Sequence, residues 1–61
     1  MSYRTETRQR ARQVIKNFGG SFEALVESMR NFGFDECDID YQLDHSEAYL
    51  IGLGYEFGVL S

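Results

Sequence analysis

Basic side chains near the N-terminus are the residues of this chain whose types and spacing most suggest a binding chemistry. Arg4, Arg8, Arg12 and Lys16 recur at intervals of four, so a helix would place them on one side; we call this set the basic ridge. Arg10 lies on a neighbouring side. Each like-charged pair at i and i+4 destabilises a helix by about 0.2 to 0.5 kcal/mol, so the ridge needs opposite charge nearby. The candidates are nucleic-acid phosphates, an acidic protein and the chain's own carboxylates.

The opposite charge of the chain is concentrated after residue 20. Residues 21–61 carry nine acids and one base, whereas residues 1–20 carry five bases and one acid. The predicted partner-binding acidic face consists of Asp38, Asp40 and Asp44, flanked by Glu36 and Glu47. On an extended strand Asp38 and Asp40 lie about 6.6 to 6.8 Å apart. Carboxylates at that interval roughly follow a nucleic-acid backbone, which suggests either a mimic that occupies the basic groove of a nucleic-acid-handling protein or a plain solvated face.

Catalytic and metal-binding chemistry is poorly supported by the same residues. Cys37 and His45 are separated by about 26 Å on a strand or about 12 Å on a helix, too far for a nucleophile and its base. Cys37 is better explained as a small buried residue. A calcium-binding loop would need glycine where Tyr41 stands. We therefore predict a non-enzymatic protein with no catalytic residue, cofactor or metal.

Two helices are predicted in the first half of the chain, at about residues 3–18 and 22–32. Apolar or small residues recur at spacings of three and four in both segments, which is typical of one buried helical face. Gly19 with Gly20 ends the first helix, and Gly33 ends the second. The buried positions expected in the first helix are Tyr3, Thr7, Ala11, Val14, Ile15 and Phe18.

The second half of the chain alternates between apolar and polar residues, which predicts strands at about 37–43 and 49–59. A helix over the last segment would contain Gly52, Gly54 and Gly58, each unfavourable by about 1 kcal/mol. The expected fold class is therefore α+β, with two helices packed on an antiparallel hairpin in the order ααββ.

An all-α fold is the alternative. Residues 35–43 can form a short acidic helix that is capped by Asp35 and has Ile39 and Leu43 at positions i and i+4. The chain would then be a mini-domain of three or four helices.

A single domain of 61 residues hides only about 60% of its unfolded surface, so we expect help from a second copy or a partner. Phe57 and Val59 extend beyond the first predicted strand, and together with Tyr55 they form the expected dimer or partner edge. In the hairpin fold the basic ridge and the acidic face point in different directions. That arrangement favours contacts between molecules over internal pairing.

The predicted function is a small acidic protein-interaction module, cytoplasmic and homodimeric, whose partner is another protein. The one cysteine and the polar first twenty residues predict a reducing cytoplasm, with no membrane segment. In size and acidity the chain is like many small phage- or plasmid-encoded proteins that modulate a host protein, an analogy of composition that would place it in the host cytoplasm. The alternative function is nucleic-acid binding through the basic ridge.

Overall fold

Four helices make up the fold of the part of the chain that the structure describes. The computed structural model describes residues 2–61, and it contains α1 (Tyr3–Asn17), α2 (Phe22–Phe32), α3 (Glu36–Leu43) and α4 (Glu47–Glu56). Residues 2–61 contain no β-strand, so the α+β prediction is wrong and the four-helix alternative is confirmed. None of these helices is both long and apolar enough to cross a lipid bilayer.

Each helix begins after a residue whose side-chain oxygen accepts a hydrogen bond from the backbone N–H three residues later. Such an N-cap satisfies one of the free N–H groups of the first turn and stabilises a helix by about 1 kcal/mol. The cap of α3 is the strongest, because the carboxylate of Asp35 accepts from Asp38 N at 2.8 Å. The other three caps are Ser2, Ser21 and Ser46.

The strand predicted at 37–43 is part of helix α3. Ile39 and Leu43, four residues apart, are fully buried, whereas Cys37 and Tyr41 are exposed. The prediction that Cys37 is buried is therefore also wrong. These four residues alternate with polar ones, but only Ile39 and Leu43 face the core. Over so short a segment, an apolar residue at every second position fits the two-residue period of a strand and also the 3.6-residue period of a helix. The N-cap at Asp35 favours the helix.

The strand predicted at 49–59 is replaced by α4 and a short C-terminal tail. Leu50, Leu53 and Gly54 are the buried residues of this helix, and Phe57 packs against the core just beyond it. These positions follow the helical spacing of three and four. Tyr55, on the same predicted strand face as Leu53, is 53% exposed.

Helix α1 is the central element, since it packs against each of the other three helices, while α2 also contacts α3. Its buried stripe is Thr7, Ala11, Val14 and Ile15; Tyr3 and Phe18, expected in the same stripe, are exposed at the two ends. The remaining core side chains come from all three partners and from the tail: Phe22, Leu25, Val26, Met29, Ile39, Leu43, Leu50, Leu53 and Leu60.

The tail after α4 folds back and places Leu60 between two glycines. Gly58 has a φ of +76°, and the backbone N–H groups of Val59 and Leu60 both donate to the carbonyl oxygen of Gly54, at 2.9 and 3.1 Å. A Cβ atom at Gly54 would lie 2.5 Å from Leu60 Cδ1, and one at Gly20 would lie 2.6 Å from Leu60 Cδ2. Glycine at these two positions therefore makes room for the leucine side chain.

We predict that Gly54→Ala and Gly52→Ala have different effects on stability. Both replace a glycine inside α4, so both gain about 1 kcal/mol of helix propensity. Gly52 faces open space, whereas the new methyl group at Gly54 collides with Leu60. Overpacking of this kind is unfavourable by about 1 to 3 kcal/mol, which is the expected difference in unfolding free energy between the two variants. Urea denaturation measures it, and equal stabilities would contradict the contact.

Candidate interaction surfaces

The basic ridge of α1 faces carboxylates of α3. Asp40 accepts hydrogen bonds from Arg4 Nε at 2.5 Å and from Arg8 Nε at 2.7 Å. Arg8 also donates through Nη2 to Glu36 Oε1 at 3.2 Å. Arg4 and Arg8 are one helical turn apart on α1, as are Glu36 and Asp40 on α3, so the two rows of opposite charge match in spacing.

The same ion-pair network continues to α2 through Glu36. Arg30 donates to both carboxylate oxygens of Glu36, from Nε and Nη2, each at 2.9 Å. Arg30 Nη1 also lies 3.5 Å from Glu27 Oε2. Six side chains of alternating charge therefore connect three helices; we call them the charge network, and they are Arg4, Asp40, Arg8, Glu36, Arg30 and Glu27.

These contacts shift the pKa values of the carboxylates. Hydrogen bonding and charge attraction from Arg30, with a further contribution from Arg8, lower the pKa of Glu36 to about 2. Partial burial raises the pKa of Asp40, but the hydrogen bonds from Arg4 and Arg8 outweigh it and the pKa lies below its ordinary value. Both carboxylates are therefore ionised at neutral pH and hold the arginines in place.

The remaining bases have weaker or different partners. Arg12 forms an exposed ion pair with Glu23 and lies over the Phe22 ring, 4.8 Å from its centroid. Arg10 donates to the carbonyl oxygens of Leu43 and His45, and thereby satisfies backbone acceptors at the C-terminal end of α3. Lys16 is exposed and forms no ion pair with a side chain of residues 2–61.

The structure therefore pairs most of the basic ridge within the molecule, contrary to the expectation of contacts between molecules. That expectation depended on the hairpin, which would have turned the acidic residues away from α1. In a helix, residues 36 and 40 instead share the side that faces α1.

The predicted acidic face is divided for the same reason. Successive helical residues are rotated by about 100°, so Asp38 does not share a side with Asp40. Asp38 and Glu47 are exposed and form no ion pair with side chains of residues 2–61, while Asp44 accepts a hydrogen bond from the Tyr3 hydroxyl. The carboxylate spacing of an extended strand, which suggested nucleic-acid mimicry, is absent because this segment is helical. For the same reason it is not a calcium-binding loop.

The residues of the predicted dimer or partner edge do not form one continuous surface either. Tyr55 is exposed on α4, whereas Phe57 and Val59 are half-buried against the core. Residues 49–59 present no strand to a second copy, so the argument for a dimer from this edge no longer applies.

Two groups of contacting aromatic rings were not predicted from the sequence. The phenylalanine cluster contains Phe32, Phe34 and Phe57, with centroid distances of 5.7 to 6.2 Å, and Phe32 is 74% exposed. The second group, which we call the corner cluster, lies where α3 meets α4. It consists of Tyr41, His45 and Tyr49. These residues are spaced by four, so their contact can be expected from the sequence once the segment is known to be helical.

Comparisons with protein-family models, with curated proteins and with solved structures return no match for this chain.

We predict that protonation of Glu36 destabilises the fold. Its pKa is about 2 in the folded protein and 4.5 ordinarily, so the unfolded state takes up the proton first as pH falls. The contribution of Glu36 is complete above about pH 4.5 and is lost as pH falls towards about 2. The melting temperature should therefore fall over this range, and less steeply in Glu36→Gln.

The matched control is Glu56→Gln, which removes an acid that forms no side-chain ion pair within residues 2–61. Its melting temperature should follow the pH dependence of the unaltered protein. A Glu36→Gln curve parallel to that of Glu56→Gln would contradict the charge network.

Proposed function

We propose that this protein is a non-enzymatic interaction module that binds another protein, with the arginines of α1 serving the fold rather than the partner. The charge network carries this proposal. Arg4 and Arg8 are held by carboxylates of α3, so a nucleic-acid phosphate would have to compete with pre-placed, ionised partners for the same guanidinium groups. That competition disfavours nucleic-acid binding through the ridge.

The surface that remains is acidic. Side-chain ion pairs within residues 2–61 take up four of the ten acids and four of the six bases. Six acids and two bases remain, and five of those acids lie between residues 35 and 56. A partner with a basic surface would be attracted over several ångströms and steered towards α3 and α4, while phosphates would be repelled.

The exposed aromatic side chains supply contact area for such a partner. Of nine aromatic residues, six are at least 40% exposed: Tyr3, Phe18, Phe32, Tyr41, Tyr49 and Tyr55. Tyrosine and phenylalanine are enriched in protein interfaces, where they bury a large area with few rotatable bonds. Acids around exposed rings therefore fit a protein that acts by covering a partner's surface, as a modulator or inhibitor does.

The single, exposed thiol of Cys37 fits a reducing cytoplasm as its setting.

Affinity capture from a nuclease-treated extract of the source cells tests the proposal. We expect the immobilised chain to retain a defined protein that salt releases. The double variant Arg12→Gln, Lys16→Gln should retain the same protein, because it alters only the exposed end of the ridge. Capture from an untreated extract that disappears after nuclease treatment would support the nucleic-acid alternative, and loss of the protein in this variant would place its contact on the basic ridge; either result contradicts the proposal. Recovery of no protein at all would also contradict the proposal.

A further inference from the structure

The corner cluster is a pre-formed aromatic surface. The His45 and Tyr49 rings stack with centroids 4.2 Å apart and planes inclined by 21°, and the Tyr41 ring meets His45 edge-on at 5.2 Å. Tyr41 is 68% exposed and Tyr49 40% exposed, so two tyrosine rings face solvent on either side of a histidine.

Hydrogen bonds hold two of these rings, those of His45 and Tyr49, in place. The Tyr49 hydroxyl donates to the side-chain carbonyl of Gln42, and His45 Nδ1 donates to the Gln42 backbone oxygen at 3.1 Å. Arg10 donates to the backbone oxygen of His45. A surface fixed before binding loses little side-chain entropy when a partner arrives, which favours its use as a contact site.

The charges around the corner cluster specify its partner. Asp38 precedes Tyr41 by one helical turn on the exposed side of α3, and Glu47 lies in the first turn of α4, just before Tyr49. Both carboxylates lie outside the side-chain ion pairs of residues 2–61. The face of a tyrosine ring attracts a cation within about 6 Å, and nearby carboxylates strengthen that preference. Arg10 also lies at this corner, but its Nη2 donates to the backbone oxygens of Leu43 and His45. The rings and the two acids therefore favour a positively charged group.

We propose that the corner cluster binds arginine or lysine side chains of a basic segment in the partner protein. This inference rests on the proposed function and names the partner's chemistry. Arginine suits the site well, because its planar guanidinium can stack on a tyrosine ring while it donates to a carboxylate such as Asp38. A second copy of this chain is a poor occupant, since most of its arginines are committed to its own charge network.

A titration followed by NMR tests this proposal on the whole chain. The ¹⁵N-labelled protein receives a synthetic peptide in which arginine alternates with glycine and serine, or the same peptide with neutral citrulline for arginine. We expect saturable shifts of the Tyr41, His45 and Tyr49 amide signals with the arginine peptide only. Tyr41→Leu should weaken the binding by about two- to five-fold, and Tyr41→Phe, which keeps the ring, should retain it.

Tyr55→Leu is the matched control, because Tyr55 is similarly exposed but lies outside the corner cluster. Its affinity for the arginine peptide should be unchanged, and the spectrum of each variant reports whether it is folded. Equal affinities of Tyr41→Leu and Tyr55→Leu, shifts centred elsewhere, equal binding of the citrulline peptide, or no saturable binding would overturn the inference. If a protein is nevertheless captured from extract in any of these cases, the proposed protein-binding function is retained and the partner contacts another surface of the chain.

Discussion

The ion pairs between α1 and α3 are the interaction on which the orientation of α3, and with it the exposed surface, depends. Arg4 and Arg8 repel each other on α1, as Glu36 and Asp40 do on α3, and placing the two rows together relieves both. Helix α3 has eight residues, fewer than the roughly 12 to 15 that an isolated helix needs, so it depends on its neighbours. Its two buried side chains supply attraction, and the directional guanidinium–carboxylate bonds fix its rotation about its own axis.

This orientation of α3 decides what the protein presents to solvent. With residues 36 and 40 turned towards α1, the opposite side of α3 carries Asp38 and Tyr41, and the following corner adds the rings of His45 and Tyr49. One constraint therefore engages arginines in ion pairs within the molecule and leaves an aromatic and acidic surface without such partners. The proposed protein-binding role and the proposed preference for a cationic segment both follow from that exchange of surfaces.

The sequence predicts the first half of the fold better than the second. Helical periodicity and glycine stops identify α1 and α2, because their apolar residues fit no other period. Over α3, positions 37, 39, 41 and 43 fit a strand, and only the cap at Asp35 and the pair Ile39 and Leu43 favour a helix. In α4 the low helix propensity of the glycines predicts against a helix. Glycine at position 54 is explained by its close contact with Leu60, which a pattern of neighbouring residues does not reveal. The ridge was visible from spacing alone, but its partners could be identified only once α3 was known to be a helix.

A double-mutant cycle between Arg8 and Asp40 tests the central role of the charge network most directly. Arg8→Gln, Asp40→Asn and the combined variant give the coupling energy in urea denaturation, with Arg12→Gln and Glu23→Gln as the exposed reference pair. The Arg8 and Asp40 side chains are 22% and 19% exposed, against 54% and 66% for Arg12 and Glu23. We predict a coupling of about 1 kcal/mol or more for the first pair and below about 0.5 kcal/mol for the second. A coupling between Arg8 and Asp40 no larger than that of the reference pair would contradict the account.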